Sequence, residues 1–529
     1  MSIKLTFCGG TSTVTGSCYW VRHSQGQFLI DCGLFQGTKT VKELNYNEFP
    51  FDPKRIDFVL LTHAHIDHSG LLPKLVKKGF RGPIYATEPT RDLLTYMLPD
   101  SAYIQESEVG RLNRRNRQRG HPAVEPIYTK QDVSKCLSQF STVEHEDWTE
   151  VAAGIRARYW NAGHILGAGS IELEMQNGNR NKRTLRLLFS GDIGPENKLF
   201  HLQPEAPEDL DYIICESTYG SRKRLKVTET QRRKVLLKEV RQALKRGGNL
   251  IIPAFAVERT QELLLDLSIL VRDKEIPNST IFLDSPLAIK ATKIFAKHAK
   301  DLEDVSSDLN PFSRSQIHFT ESVDESKGIS FFKEGAIIIA ASGMCDAGRI
   351  RHHLKSNLPN NKSTILLVGY QAPGSMGRLL TNGVKRVRIH GEEVAVRATI
   401  RSIDTYSAHA DQQGLIDWIL KRQPPKRGLF LTHGEDESRI ALRDKLVKEG
   451  LQSESIYLPE LDDVFDLLGH GGPRKKKSQH RLSNKLIGKP DWHNDYAEFT
   501  LELQKILHDT SDDKIRAQLL HRLRRNLDK

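Results

Sequence analysis

A chain of 529 residues with 38% hydrophobic and 27% charged side chains can bury a core in more than one domain and is too apolar to be disordered. Its longest apolar runs are strand-length, well short of the roughly 20 residues a membrane helix needs. The first residues enter a strand-like segment without a charged-then-apolar leader, so no membrane partner and a cytoplasmic location are expected. Lys and Arg outnumber Asp and Glu by 78 to 66, a net +12 that favours an anionic partner.

In chain order, the first two hundred residues read as short β-branched or apolar runs broken by glycine, at 2–8, 18–22, 27–31, 57–62, 155–160, 170–175 and 183–190. Helical patterns lie between them at 71–78 and 90–98. Residues 110–121 carry five arginines, which read as a solvated helix face. From about Arg222 the style changes: a charged helix at 231–245, an apolar run at 249–255, a helix at 259–272 and a strand at 280–283. The alternation continues through 336–341 and 364–370 and predicts a parallel-sheet α/β domain. Short strands return near 399–411, then at 428–432 and 464–468, so one domain interrupts another. The predicted parts are 1–220 and 401–468 for the interrupted domain, 221–400 for the insert, and 469–529 for a basic linker with a helical extension.

That linker clusters Gly, Pro and charge at 469–481, and from Gly471 onward 14 Lys+Arg face 8 Asp+Glu, half the total excess. Helices are predicted at 495–508 and 512–527; the second carries Ile515, Leu519, Leu523 and Leu527 on one seam, expected to dock on the body. The six cysteines are scattered without a C-x-x-C pair and read as buried free thiols. A bound metal must therefore be held by histidine and carboxylate.

The segment His63-Ala64-His65-Ile66-Asp67-His68 supplies such groups. Four potential ligands in six positions exceed what one tetrahedral site takes from a single loop, and two metals sharing the loop resolve the excess. The residues after it, Ser69 to Pro73, are expected to open a helix whose positive end faces the metals' anionic ligands. Downstream stand Asp31, closing a strand-like run, His164 between Gly163 and Ile165, and Asp192 after Ser190-Gly191.

Together these motifs resemble the metallo-β-lactamase fold. The segments around Glu216 (213–220), His409 (406–411) and His433 (431–435) resemble the three motifs of its β-CASP nucleases, as do 253–259, 341–344 and 369–378. The resemblance covers roughly residues 1–468 and is nearest to stand-alone prokaryotic ribonucleases related to the polyadenylation-factor endonuclease subunit. It implies an α/β architecture, a four-layer αββα metallo-β-lactamase domain carrying an inserted α/β β-CASP domain, with nucleic acid bound in the cleft between them.

By that resemblance two Zn2+ are expected: His63, His65 and His164 on the first, Asp67, His68 and His433 on the second, Asp192 bridging. Asp31 orients ligand imidazoles from behind. A water or hydroxide between the metals is then the nucleophile, its pKa lowered towards about 7 as at single catalytic zincs. His409 is the expected general acid, with Glu216 orienting its ring and favouring imidazolium; Asp67 counts among the catalytic groups as well as the ligands. Ser342, Gly343, Ser375 and Arg378 lie in turns expected to offer backbone N–H groups to phosphates. Single-stranded RNA is the expected substrate, and a homodimer is among the states such relatives adopt. Endonucleolytic cutting is preferred, with 5′-to-3′ exonuclease and DNA nuclease as alternatives within the superfamily. A small-molecule metallo-hydrolase would not need the insert or His409, and an inactive RNA-binding scaffold would have lost ligands that are all present here.

Overall fold

A computed structural model describes residues 3–176, 184–196, 198–224, 227–276, 279–299, 302, 317–369, 371, 375–422, 425–468, 471–483, 503, 506–507, 509–510 and 512–527. Among them, two sheets stack face to face. The first has eight strands in the spatial order Arg474–Lys476, Val464–Leu467, Ile3–Phe7, Tyr19–His23, Gly26–Ile30, Phe58–Leu60, Ile84–Thr87 and Phe140–Val143. The second has seven: Ile456–Tyr457, Gly428–Thr432, Tyr212–Glu216, Thr184–Phe189, Gly169–Gln176, Ile155–Asn161 and Thr149–Ala152.

Alternation along the strands explains the stacking. Ile3, Leu5, Phe7, Phe28, Ile30, Phe58 and Leu60 point into one buried cluster with Tyr159, Ile171, Leu173, Leu187, Phe189, Ile214 and Phe430 of the other sheet. The intervening residues Leu29 and Val59 pack outward with Leu72, Leu75, Val76 and Leu93 of the covering helices. Leu188, Ile213, Leu429 and Leu431 do the same for helices Gln412–Leu420 and Asp436–Lys448 through Ile416, Trp418, Ile419, Leu442 and Leu446. Helix, sheet, sheet, helix is the expected four-layer sandwich.

The chain leaves this sandwich after Tyr212–Glu216 and builds a six-stranded parallel sheet in the order Ile317–Phe319, Ile281–Leu283, Ile337–Ala340, Leu250–Pro253, Thr364–Val368, Thr399–Ile403. Buried on both faces, its inner strands read as largely apolar runs such as Ile337-Ile338-Ile339. The run near 399, whose short-strand style suggested the interrupted domain, instead closes this sheet by pairing in parallel with Thr364–Val368. A boundary at 400 therefore falls inside a strand, because β-branched composition does not say which partner a strand will meet.

Other expectations shift as well. The helix expected at 90–98 runs from Glu88 to Gln118 with Pro99 inside it, and places the arginines at 111, 114, 115, 117 and 119 on its exposed far end and cap. The helix expected to open within Ser69 to Pro73 runs from Leu72 to Lys77, and a short additional helix, Ile66–Ser69, precedes it with Asp67 in its first turn. Part of the linker is structured: Arg474–Lys476 adds an edge strand, and Arg481 pairs with Asp462 at 2.9 Å. The last helix, Asp513–Leu527, leaves Ile515 about half exposed at 48%, so this part of the seam does not dock. The helix expected at 495–508 lies largely outside the described residues. All six cysteines are buried and unpaired, and among the described residues no helix is long and apolar enough to cross a membrane.

Candidate metal centre

Strand ends at one edge of the sandwich deliver the site. Asp31 follows Gly26–Ile30, His63 lies just beyond Phe58–Leu60, His164 beyond Ile155–Asn161, and Asp192 beyond Thr184–Phe189. Parallel pairing sets Glu216 opposite Thr432, which puts His433 one residue further on at the same edge. Two of these residues turn the chain sharply: Asp31 and His433 take the left-handed φ values 58° and 45°, a conformation that Asp and His tolerate better than most.

The side chains converge on Asp192. Its Oδ2 lies 3.5 Å from His63 Nε2 and 3.4 Å from His164 Nε2, while its Oδ1 lies 3.2 Å from His68 Nε2 and 3.4 Å from His433 Nε2. His65 presents Nδ1 to the first group, 3.2 Å from His63 Nε2 and 3.1 Å from His164 Nε2. Asp67 Oδ2 stands 3.9 Å from His433 Nε2. Two trios, His63, His65 and His164 on one side and Asp67, His68 and His433 on the other, thus gather at one buried carboxylate.

The far side of four of the five rings is already committed. His68 Nδ1 donates to Asp31 Oδ2 at 2.7 Å, His63 Nδ1 pairs with Thr62 Oγ1 at 3.0 Å, His164 Nδ1 donates to the Ala408 carbonyl at 2.8 Å, and His433 Nδ1 meets Ser17 Oγ at 2.8 Å. Asp31 is itself held by the amide and hydroxyl of Thr62 at 2.8 and 2.9 Å. Such partners fix tautomer and aim the opposite nitrogen lone pairs inward. Burial lowers the pKa of His63, His65 and His164 and so favours the neutral ligand form. Burial would raise Asp192, but His433, His68 and His63 hold it ionised, well below the usual carboxylate range.

A metal pair fits this donor set. The candidate ligand atoms of each group lie within 4.8 Å of one another, and His68 Nε2 and Asp192 Oδ1 are buried with no hydrogen-bond partner. Buried polar atoms are ordinarily satisfied, so two orphans aimed at the same point mark a place for a cation.

Beside the pocket, His409 Nδ1 meets Glu216 Oε1 at 3.2 Å and lies 3.9 Å from Asp192 Oδ2. Glu216 accepts further N–H bonds from Ile193 at 2.6 Å and Thr218 at 3.2 Å. Burial opposes a charge on His409, yet Glu216 and Asp192 outweigh it and raise its pKa. Its side chain is 20% exposed where those of His63, His164 and His433 are 3% or less, so it is reachable from outside.

The expected phosphate turns do come together: Gly377 N–H donates to the Met344 carbonyl at 3.0 Å and Gln371 Nε2 to the Gly343 carbonyl at 3.1 Å. Their amides, however, are largely spent. Ser342 N–H goes to Ala347 O, Met376 N–H to Asp346 and Arg378 N–H to Ser375 Oγ. Ser375 is thus a buried helix cap, which its place before Met376–Thr381 could have signalled. The side chains of Ser342 and Arg378 remain the candidates for contact. Thr62, Ser17 and the Ala408 carbonyl, which orient the ligands, were missed; a Thr or Ser beside a ligand has too many ordinary uses to stand out.

Family models match along the chain: the metallo-beta-lactamase superfamily at residues 12–230, the Beta-Casp domain at 260–380, and the Zn-dependent metallo-hydrolase RNA specificity domain at 393–459. A "Ribonuclease TTHA0252" from Thermus thermophilus is 34% identical over 447 residues, covering 84% of this chain and 95% of its own. The chain belongs to the β-CASP metallo-β-lactamase family. A "Transcription termination factor FttA" from Thermococcus kodakarensis is 32% identical over 84% of this chain and 69% of its own. An "RNase J-like protein" from Methanocaldococcus jannaschii is 29% identical over 82% and 93%. As a member of this family the chain is a metal-dependent hydrolase, and the residues converging on Asp192 are its candidate metal ligands.

Proposed function

We propose that this β-CASP hydrolase is a two-zinc ribonuclease that cuts phosphodiester bonds within single-stranded RNA, with His409 as the general acid. The observation that carries the reading is a proton donor built against a metal pocket, His409 between Glu216 and Asp192. A small-molecule metallo-hydrolase would need neither that pair nor the inserted domain.

His63, His65, His164 and Asp192 would hold one ion, and Asp67, His68, His433 and Asp192 the other. Bound there, the metal pair supplies an activated water and neutralises charge on the phosphate. The chain's own work is at the leaving group. Glu216 engages Nδ1 of His409 and leaves Nε2 to protonate the departing oxygen. Arg378 and the Ser342 hydroxyl suit the neighbouring phosphates, with Gly343 and Ser375 shaping the turns that carry them. The net charge of +12 and the exposed arginines beyond residue 110 favour a polyanion. RNA over DNA is supported by the matched RNA specificity domain and by relatives named as ribonucleases.

The test is cleavage of labelled single-stranded RNA, the matching DNA and a generic esterase substrate by the wild type, Asp67→Ala and His409→Ala. RNA cutting into internal fragments, lost in Asp67→Ala and reduced about 10²–10⁴-fold in His409→Ala, is expected. Activity on DNA alone, or on no polynucleotide, would sink the reading; release of mononucleotides would convert it to an exonuclease. Metal analysis should return two zincs per chain.

A further inference from the structure

Glu258 stands at the entry to helix Arg259–Arg272 of the inserted domain. Its backbone takes φ 71° and ψ −66°, with Arg259 N–H bonded back to the Val257 carbonyl at 2.9 Å. That is a γ-turn of the positive-φ kind, rare and strained for a residue with a side chain. Its carboxylate does not cap its own helix. Instead it is buried among donors of the sandwich domain: Oε1 accepts from His201 Nε2 at 2.7 Å and lies 3.2 Å from Lys198 Nζ, and Oε2 accepts the Leu166 N–H at 3.3 Å.

Lys198 is buried too, and its ammonium also donates to the carbonyl of His164. The turn 164–166 is therefore gripped at both ends, its first carbonyl through Lys198 and its last amide by Glu258 directly. The ring of His164 enters the metal pocket, and its Nδ1 holds the Ala408 carbonyl, one residue before His409.

We infer that Glu258 is a positioning residue, a strained latch through which the inserted domain fixes the His164 turn and so couples the two domains to the metal pocket. A buried carboxylate that meets three donors across a domain boundary explains why the turn keeps a side chain where glycine would relieve it.

The discriminating variant is Glu258→Gly, which relaxes the γ-turn and removes only the latch. In metal-free protein, hydrogen exchange at the Leu166 amide should quicken about 10-fold or more, while the strands Ile281–Leu283 and Ile337–Ala340 exchange as in the wild type. In zinc-loaded protein, chelator competition should show one zinc held about 10–100-fold more weakly. The kcat on RNA should fall while KM changes less than about twofold. Glu258→Gln, which keeps an acceptor, should fall between. Lys198→Met should weaken the same zinc yet leave the Leu166 amide protected, and it still decides the matter if Glu258→Gly fails to fold. Unchanged Leu166 exchange in Glu258→Gly, loosening spread evenly over the chain, or full zinc retention in Lys198→Met would overturn the latch. The zinc and rate arms rest on the proposed metal pair and the exchange arm does not, so a wild type without zinc would end that reading while exchange still judged this one.

Discussion

Two buried aspartates, one in each domain, show how differently this fold treats a carboxylate. Asp284, after strand Ile281–Leu283 of the insert, accepts hydrogen bonds from Thr320 Oγ1, Ser326 Oγ and Arg349 Nη1 at 2.7 Å each and from His353 Nε2 at 2.6 Å. Asp192 is ringed by four imidazoles at 3.2–3.5 Å, yet its Oδ1 accepts no hydrogen bond. The first is a closed account of charge and partners and belongs to stability. The second is left open towards one point, and that incompleteness is the mark of a ligand.

The comparison is broken most sharply at Asp192. Asp192→Asn keeps the shape and deletes the charge that both trios share, so zinc binding and RNA cleavage should fall to background. Metal-free Asp192→Asn should lose less stability than metal-free Asp284→Asn, because Asp192 Oδ1 accepts no hydrogen bond while both oxygens of Asp284 do. Circular dichroism and metal analysis check both halves; a large melting loss in the metal-free variant would make Asp192 a structural hub like its counterpart.

Asp284→Asn should show the opposite pattern. Breaking a buried, multiply paired carboxylate costs about 3–5 kcal/mol, so the insert should unfold earlier while zinc content at low temperature is kept. The effect has a pH signature. Burial pushes the Asp284 pKa up, but hydrogen bonds from His353, Ser326, Thr320 and Arg349 outweigh it and hold the group well below its ordinary value. Its stabilisation is therefore complete above the unfolded pKa of about 4 and fades as pH falls through the lower folded value. The stability gap between wild type and Asp284→Asn, read from urea melts, should be full at neutral pH and narrow in acid; a gap independent of pH would assign it to packing instead.

The same contrast governs what could be read from sequence. The ligands of Asp192 were legible because they stand at or just past strand ends, in short segments that carry the spacing of their chemistry. His433 and Glu216 needed only a parallel pairing to come together. The insert's last strand was not legible, since Thr399–Ile403 suits either sheet and only its partner Thr364–Val368 decides. Nor were the phosphate turns: glycine and serine spell flexible amide-rich loops, but the amides of Ser342, Met376, Gly377 and Arg378 are already bonded to Ala347, Asp346, Met344 and Ser375. Glu258 lay just before an apolar helix pattern, and nothing local announces a carboxylate that crosses to Lys198 and His201.

Asp31 lies between the two cases and sharpens the distinction with the smallest effect. Like Asp284 it is satisfied, holding the Thr62 amide and hydroxyl; like Asp192 it serves the metal pocket, through His68 Nδ1 at 2.7 Å. Asp31→Asn has one carbonyl oxygen, which can keep the Thr62 amide and hydroxyl. Its NH2 group then takes the place of the oxygen that accepts from His68 Nδ1, so the loss falls mainly on the His68 contact. The variant also loses the charge that, with Asp192, raises the pKa of His68 against the cost of burial and strengthens the ring as a ligand. Zinc affinity should drop about 10–100-fold, the usual cost of removing a partner behind a metal ligand. Excess zinc should then restore most of the RNA cleavage, a rescue that Asp192→Asn would not show. If added zinc rescued neither variant, Asp31 would belong with the bridging carboxylate rather than behind it.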